Sequence, residues 1–257
     1  MMTELILVEG VSDVQLISYY LQNVYGWQYK KDNELGVSAL DGKEHIESLV
    51  KNGYELILCG VGGNGKFATF VKDHQINAII KENEISSLIV VTDRDEDSIG
   101  KIKSSVNKVF ENLTLQVGQW STSTFTDGFG SDKSIDTFLM IIPSNEKGSL
   151  ERVVINALND IPAETALIHE VTTFVDSLKE ELLPDLSKIN KANKAIVGTY
   201  FSVRYPKQAL RSFSTFISKI NWSESDSLRK LFFPFSFLGK EKPVSTELQS
   251  DQNSYNS

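Results

Sequence analysis

Residues 88–97 read Leu88-Ile89-Val90-Val91-Thr92-Asp93-Arg94-Asp95-Glu96-Asp97. Four apolar residues without polar alternation, closed by a run of acids, predict a strand buried on both faces and ending in a loop. The same pattern occurs twice upstream. Leu5-Ile6-Leu7-Val8 is closed by Glu9-Gly10, and Leu56-Ile57-Leu58-Cys59 by Gly60-Val61-Gly62-Gly63-Asn64-Gly65. Helical patterns lie between these runs. Ser12 with Gln15 makes a capping box ahead of Leu16, Ile17, Tyr20, Leu21 and Val24. Residues 66–81 form a second helix through Phe67, Phe70, Val71 and Ile79. A third spans about 98–111, with Asp97 as its simplest cap, and a strand at 113–117 follows. Weaker signals give a strand near 36–40 and a short helix at 43–51. Residues 119–134, rich in Ser, Thr, Gly and Asp, read as a loop, and 138–142 as a strand broken by Pro143. Apolar strands alternating with helices predict an α/β fold on a mainly parallel sheet.

From Ser149 onward the chain reads as helices, about 150–158, 164–182, 191–204 and 207–220. Phe232-Phe233-Pro234-Phe235 reads as a segment covering this helical bundle, and 241–257 as a disordered tail. The expected organisation is a core at 1–147, a helical region at 148–240 and the tail at 241–257.

The 257 residues are 40% hydrophobic and 23% charged, which suits a soluble globular protein. No apolar run reaches the roughly 18–20 residues of a membrane span. The opening MMTELILVEG has neither the basic start nor the cleavage site of a signal peptide, so a cytoplasmic chain is expected. Cys59 is the single cysteine, and His45, His74 and His169 are scattered. That excludes an intramolecular disulfide and a cysteine-built zinc cluster, and leaves oxygen as the donor for any metal. The net charge is −8, but residues 187–240 carry ten Lys or Arg against Glu224 and Asp226. This segment is therefore +8 and the other 203 residues sum to −16, an asymmetry that suits an anionic partner.

The acids that close the strands carry the chemistry. In open parallel sheets, ligands bind beyond the carboxyl ends of the strands. Glu9 closes the first strand and Asp93 the third. Asp95 is two residues from Asp93, and Asp13 is four residues from Glu9, one turn into a helix. Clustered carboxylates repel unless a cation sits among them, and hard oxygens suit Mg²⁺ or Mn²⁺. Taken singly, each acid also has a structural reading, as Asp13 does at a helix start.

Val8-Glu9-Gly10, the glycine-rich turn after the second strand, and Val91-Thr92-Asp93-Arg94-Asp95 resemble the TOPRIM domain of topoisomerases, primases and several nucleases. The resemblance sharpens toward the OLD (overcoming lysogenization defect) nucleases and related stand-alone TOPRIM proteins. It does so through Glu9-Gly10-Val11-Ser12-Asp13 and Gly148-Ser149-Leu150-Glu151, with Lys194 as the match for a C-terminal lysine and Lys191 as its alternative. It covers residues 4–155 well and the later helices loosely. It implies a TOPRIM/Rossmann-like sheet flanked by helices, and a nuclease that uses two Mg²⁺ or Mn²⁺ ions about 4 Å apart. Glu9, Asp93 and Asp95 would hold one ion, and Asp13 and Glu151 would help hold the second. Lys194 would add positive charge to the transition state. Gly62, Gly63, Lys66, Lys191 and Arg204 are the expected substrate contacts. The implied partners are nucleic acid, DNA more than RNA, and an ATPase on a separate chain, with a homodimer plausible and no membrane. Phage defence or DNA repair is the implied context.

Two other readings compete. Gly60-Val61-Gly62-Gly63-Asn64-Gly65-Lys66-Phe67 nearly spells a nucleotide-binding P-loop, but Phe67 stands where Ser or Thr would meet Mg²⁺. The other is a non-catalytic module that keeps the fold and binds nucleic acid or a partner. Tyr200, Phe201, Tyr205, Phe213, Phe216 and Trp222 interleave the basic segment. At helical spacing these aromatics read as core, and the basic groups as substrate contacts.

Overall fold

The computed structural model describes residues 2–240 apart from 182, 210 and 212. The expected tail, 241–257, lies outside the described residues. The protein is α/β. In chain order its elements are β1 (Met2–Val8), α1 (Val11–Tyr25), β2 (Gln28–Lys30), β3 (His45–Lys51), β4 (Tyr54–Gly60), α2 (Phe67–Asp73), α3 (Ile76–Glu82), β5 (Ile85–Asp93) and α4 (Ile99–Asn107). There follow β6 (Ser121–Thr126), β7 (Asp132–Ile142), α5 (Leu150–Asp160), α6 (Pro162–Glu181), α7 (Ile189–Arg204), α8 (Phe213–Ile217) and α9 (Asp226–Leu231). The chain divides into two compact units, one of residues 2–92, 98–141 and 234–240, the other of 93–97 and 142–233. The units therefore interleave along the chain, in place of a single boundary at 147.

The first unit is built on a sheet of order β2-β3-β4-β1-β5-β7-β6. Its centre, β4-β1-β5, is parallel, whereas β2-β3, β3-β4 and β6-β7 are antiparallel. The three continuous apolar runs are the three central strands, and Leu5–Val8, Leu56–Cys59 and Leu88–Val91 are at most 1% exposed. Leu5, Leu7, Ile57, Cys59, Leu88 and Val90 share one cluster with Phe70, Val71, Ile76 and Ile80 of α2 and α3, and Ile102 and Val106 of α4. Helix α1 packs against β3 and β4.

Several local expectations are corrected. Helix α1 starts at Gly10, whose N–H is accepted by the Asp13 carboxylate at 2.9 Å, so Ser12 is not its cap. Residues 43–51 are not helical; 45–51 form β3, because Asn52 (φ 50°) and Gly53 (φ 81°) close a tight hairpin onto β4. Residues 36–40 make no strand. The Asn33 side chain takes both backbone groups of Val37, at 2.7 and 2.9 Å, and withholds them from a ladder. The helix expected over 66–81 breaks at Gln75, whose backbone is left-handed (φ 52°). Ser98, not Asp97, caps α4 by accepting the Lys101 N–H. The side chain of Asn107 then holds Leu115 through its N–H and C=O, so 113–117 is a tethered segment with one bridge, Val117 to Leu139. Residues 119–134 are no loop. Ser121–Thr126 alternates as an edge strand against β7, and Asp127 turns the chain by accepting the Phe129 and Ser131 N–H groups.

The second unit is helical. Helices α5, α6 and α7 pack against one another, and α9 packs on α5. The helix expected over 207–220 is instead a 3₁₀ turn at Pro206–Gln208 and the short α8. Tyr200, Phe201, Phe216 and Trp222 are at most 4% exposed, and Phe201 stacks on Phe216 at 4.6 Å, so these aromatics are core. The segment expected to cover the bundle divides after Phe233. Residues 234–240 belong to the sheet unit, where Phe235 is buried and the Gly239 N–H donates to the Glu4 carboxylate at 3.0 Å. Among the described residues no helix is long and apolar enough to cross a membrane.

Candidate functional site

The expected site residues fall in both units. In the sheet unit, Glu9 is 8% exposed and accepts the Thr92 hydroxyl at 2.7 Å. This bond follows from topology, since β1 and β5 are parallel neighbours in the register Leu7 to Val90. Glu9 and Thr92 therefore leave the sheet side by side, and Asp93 is the next residue of β5. Asp13, 7% exposed, caps the helix that Glu9 leads into. The loop after β4 presses on this junction. A Cβ on Gly60 would stand 3.1 Å from the Gly10 carbonyl oxygen, and the Gly63 N–H donates to the Glu9 carbonyl at 2.7 Å.

The same contacts disfavour a P-loop. Gly63 directs its N–H inward, and Phe67 is packed in the apolar cluster where a cation-binding hydroxyl would be needed. Gly62 (φ 91°) lies against Lys43 and Glu44, and Lys66 is exposed.

In the helical unit, Asp93 accepts the Leu150 N–H at 3.0 Å, at the start of α5. Asp95 has a left-handed backbone (φ 46°). It pairs with Gly148 through its N–H (2.7 Å) and its C=O (3.2 Å). Its carboxylate accepts a hydrogen bond from the Asn190 amide on α7. Gly148 has φ 142°, and a Cβ there would meet the Arg152 Cβ at 3.0 Å. The loop before α5 is anchored by Glu146, which accepts from Arg152 and Asn156, each at 2.9 Å. Burial lifts the Glu146 pKa, but these bonds and the Arg152 charge outweigh it and hold the carboxyl below its usual range. Glu151 accepts the Ser149 hydroxyl at 2.6 Å, and Lys194 Nζ stands 3.9 Å from its other oxygen.

The remaining basic candidates are engaged elsewhere. Lys191 pairs with Asp185 at 2.9 Å. Arg204, 13 residues along α7 and thus about 20 Å away, forms a two-point pair with Glu164 at 2.9 and 3.2 Å. The fold employs Arg204 as a structural group.

Sequence reasoning missed Asn190 and Asn193. The signal was present in Asn190-Lys191-Ala192-Asn193-Lys194-Ala195, which places two asparagines three apart in a helix that does not favour them. The five carboxylates each accept a hydrogen bond from a neutral donor: Thr92 to Glu9, Gly10 to Asp13, Leu150 to Asp93, Asn190 to Asp95, Ser149 to Glu151. Among the described residues, no three His, Cys, Asp or Glu side chains are gathered around one point. By donor type, carboxylates are the hard oxygen ligands that suit a divalent cation.

These features define an α/β protein with acids at the carboxyl ends of two parallel strands and a second acidic set on a helical unit. The chain belongs to the family described as "Protein of unknown function (DUF3226)", whose model matches residues 3–232. It is similar to a solved structure, the hypothetical protein PH0156 from Pyrococcus horikoshii OT3, at 16% identity and TM-score 0.49 over the whole of both chains. No curated protein matches it.

Proposed function

We propose that this protein is a divalent-metal-dependent nuclease that hydrolyses phosphodiester bonds of nucleic acid, DNA in preference to RNA. The observation that carries the reading is the 2.7 Å bond from Thr92 to Glu9. It sets one carboxylate against the end of the neighbouring parallel strand, directly before Asp93-Arg94-Asp95. Sheet ends of this kind are where α/β proteins place their ligands. The TOPRIM and OLD resemblance implies that Glu9, Asp93 and Asp95 would hold one Mg²⁺ or Mn²⁺, and that Asp13 and Glu151 would help hold a second. Such ions, when bound, polarise water and neutralise the charge of the leaving oxygen.

The chain's own groups do the positioning. The Leu150 N–H orients Asp93, and Asn190 orients Asp95. Lys194 brings positive charge beside Glu151. Its position supports it over Lys191 as the catalytic lysine, because Lys191 is paired with Asp185. Lys66 is the exposed cation of the glycine loop and the natural phosphate contact there. The TOPRIM and OLD resemblance extends the proposal to a homodimer working with an ATPase on a separate chain, in phage defence or DNA repair, and the single cysteine, Cys59, suits a cytoplasmic setting.

The test is cleavage of supercoiled plasmid in Mg²⁺ or Mn²⁺ by the full chain, beside Glu9→Ala and Asp93→Ala variants shown to fold by circular dichroism. Metal-dependent nicking that both variants lose is expected. Plasmid that is bound but uncut, with no cation uptake by calorimetry, would assign the chain to a non-catalytic binding module instead.

A further inference from the structure

Asn193 is 3% exposed, and its amide nitrogen has no hydrogen-bond partner among the described residues. Asn190 donates through Nδ2 to Asp95, and its Oδ1 is buried and equally without a partner. Each side chain stands beside one member of the Asp95–Gly148 pair. Asn193 Nδ2 lies 3.6 Å from where a Cβ on Gly148 would stand. Gly148 is in turn hydrogen-bonded through its backbone to Asp95, the partner of Asn190. Residues three apart on a helix are neighbours, with Cβ atoms about 5–6 Å apart.

One of these unpartnered atoms is an acceptor and the other a donor. A phosphate oxygen would satisfy Asn193 but be repelled by the Asn190 oxygen. A cation would satisfy that oxygen but face the positive N–H edge of Asn193. A water molecule serves both, donating to Asn190 Oδ1 and accepting from Asn193 Nδ2.

We propose that Asn190 and Asn193 hold one water molecule against Asp95, and that this is the water consumed in hydrolysis. The hydrolytic role rests on the nuclease reading; the water site does not. In the step, the water oxygen forms a bond to phosphorus, and the bond from phosphorus to the sugar oxygen breaks. The electron pair of that bond leaves on the sugar oxygen, which takes a proton from solvent as the water gives one up to solvent. Asn190 and Asn193 are positioning residues, since they aim the water without reacting.

Diffraction from crystals of the full chain tests the site. An ordered water about 2.7–3.2 Å from both Asn190 Oδ1 and Asn193 Nδ2 is expected. No such water, with the Asn193 amide turned onto a protein acceptor, overturns the proposal. Kinetics test the role. Asn193→Leu removes the donor and leaves the bond between Asn190 and Asp95. The kcat for plasmid nicking should fall about 10²-fold, with KM and calorimetric Mg²⁺ affinity unchanged, and Asn193→Ser should recover part of the loss. An unchanged kcat in both variants, with the water present, overturns the hydrolytic role. Wild-type protein that neither binds Mg²⁺ nor cuts DNA overturns the nuclease reading and that role together, while diffraction still decides the site.

Discussion

Replacing Arg204 with Met separates a structural arginine from a substrate-binding one. Glu164 is 5% exposed and accepts three hydrogen bonds, two from Arg204 at 2.9 and 3.2 Å and one from the Tyr200 hydroxyl. Removing Arg204 strands the Glu164 charge in that environment. Breaking a fully buried pair costs about 3–5 kcal/mol. The Arg204 side chain is 42% exposed, so solvent screens part of the loss. A cost of about 2–3 kcal/mol is expected, which lowers Tm by about 5–10 °C. Glu164→Gln in the same chain should recover part of it, because the stranded charge is gone.

The pH dependence has a definite sign. Burial pushes the Glu164 carboxyl up, but the bonds from Arg204 and Tyr200 and the Arg204 charge outweigh it, and its pKa lies below the ordinary value. A depressed carboxyl contributes stability above its unfolded value of about 4.3 and loses it as pH falls through the folded value. The gap between wild type and Arg204→Met should therefore be full near pH 7 and close in acid below about pH 4. Urea unfolding from pH 3 to 8, with plasmid-binding titrations at pH 7, provides the measurement. Equal stability of the two proteins, with DNA affinity lost, would refute the reasoning and return Arg204 to the substrate.

Gly148→Ala forces a φ of 142° on a side chain and drives its Cβ to 3.0 Å from that of Arg152, so a loss of about 1–3 kcal/mol is expected in urea unfolding. Cys59 is fully buried in the apolar cluster, which pushes its thiol pKa up; a thiol reagent should label it only at the rate of unfolding, seen as labelling that tracks urea concentration. Glu4→Ala removes the acceptor for the Gly239 N–H and for the Ser87 hydroxyl, so limited proteolysis should cut near residue 239 sooner than in wild type.

The readability of the sequence followed burial. The runs at 5–8, 56–59 and 88–91 needed no context, because a strand covered on both faces must be apolar throughout. The acids closing two of those runs stood out for the same reason, as abrupt charges after continuous apolar sequence. The edges were harder. Strand β3 carries mixed residues because it is only part buried, and its clue was the Asn52-Gly53 turn rather than its own composition. Strand β6 is Ser/Thr-rich because it is an edge, and composition alone made it a loop.

Sequence alone therefore determined the α/β class, the three central strands, and Glu9 and Asp93 as the acids that close two of them. Each of these is a property of a short segment and its immediate neighbours. Tertiary structure decided which cations are engaged and which polar groups meet. Lys191 turns to Asp185, Arg204 is taken by Glu164, and Asn190 reaches an aspartate 95 positions earlier. Those pairings depend on where α5, α6 and α7 pack, and packing is set by the apolar faces of all three helices together rather than by the residues that come to touch.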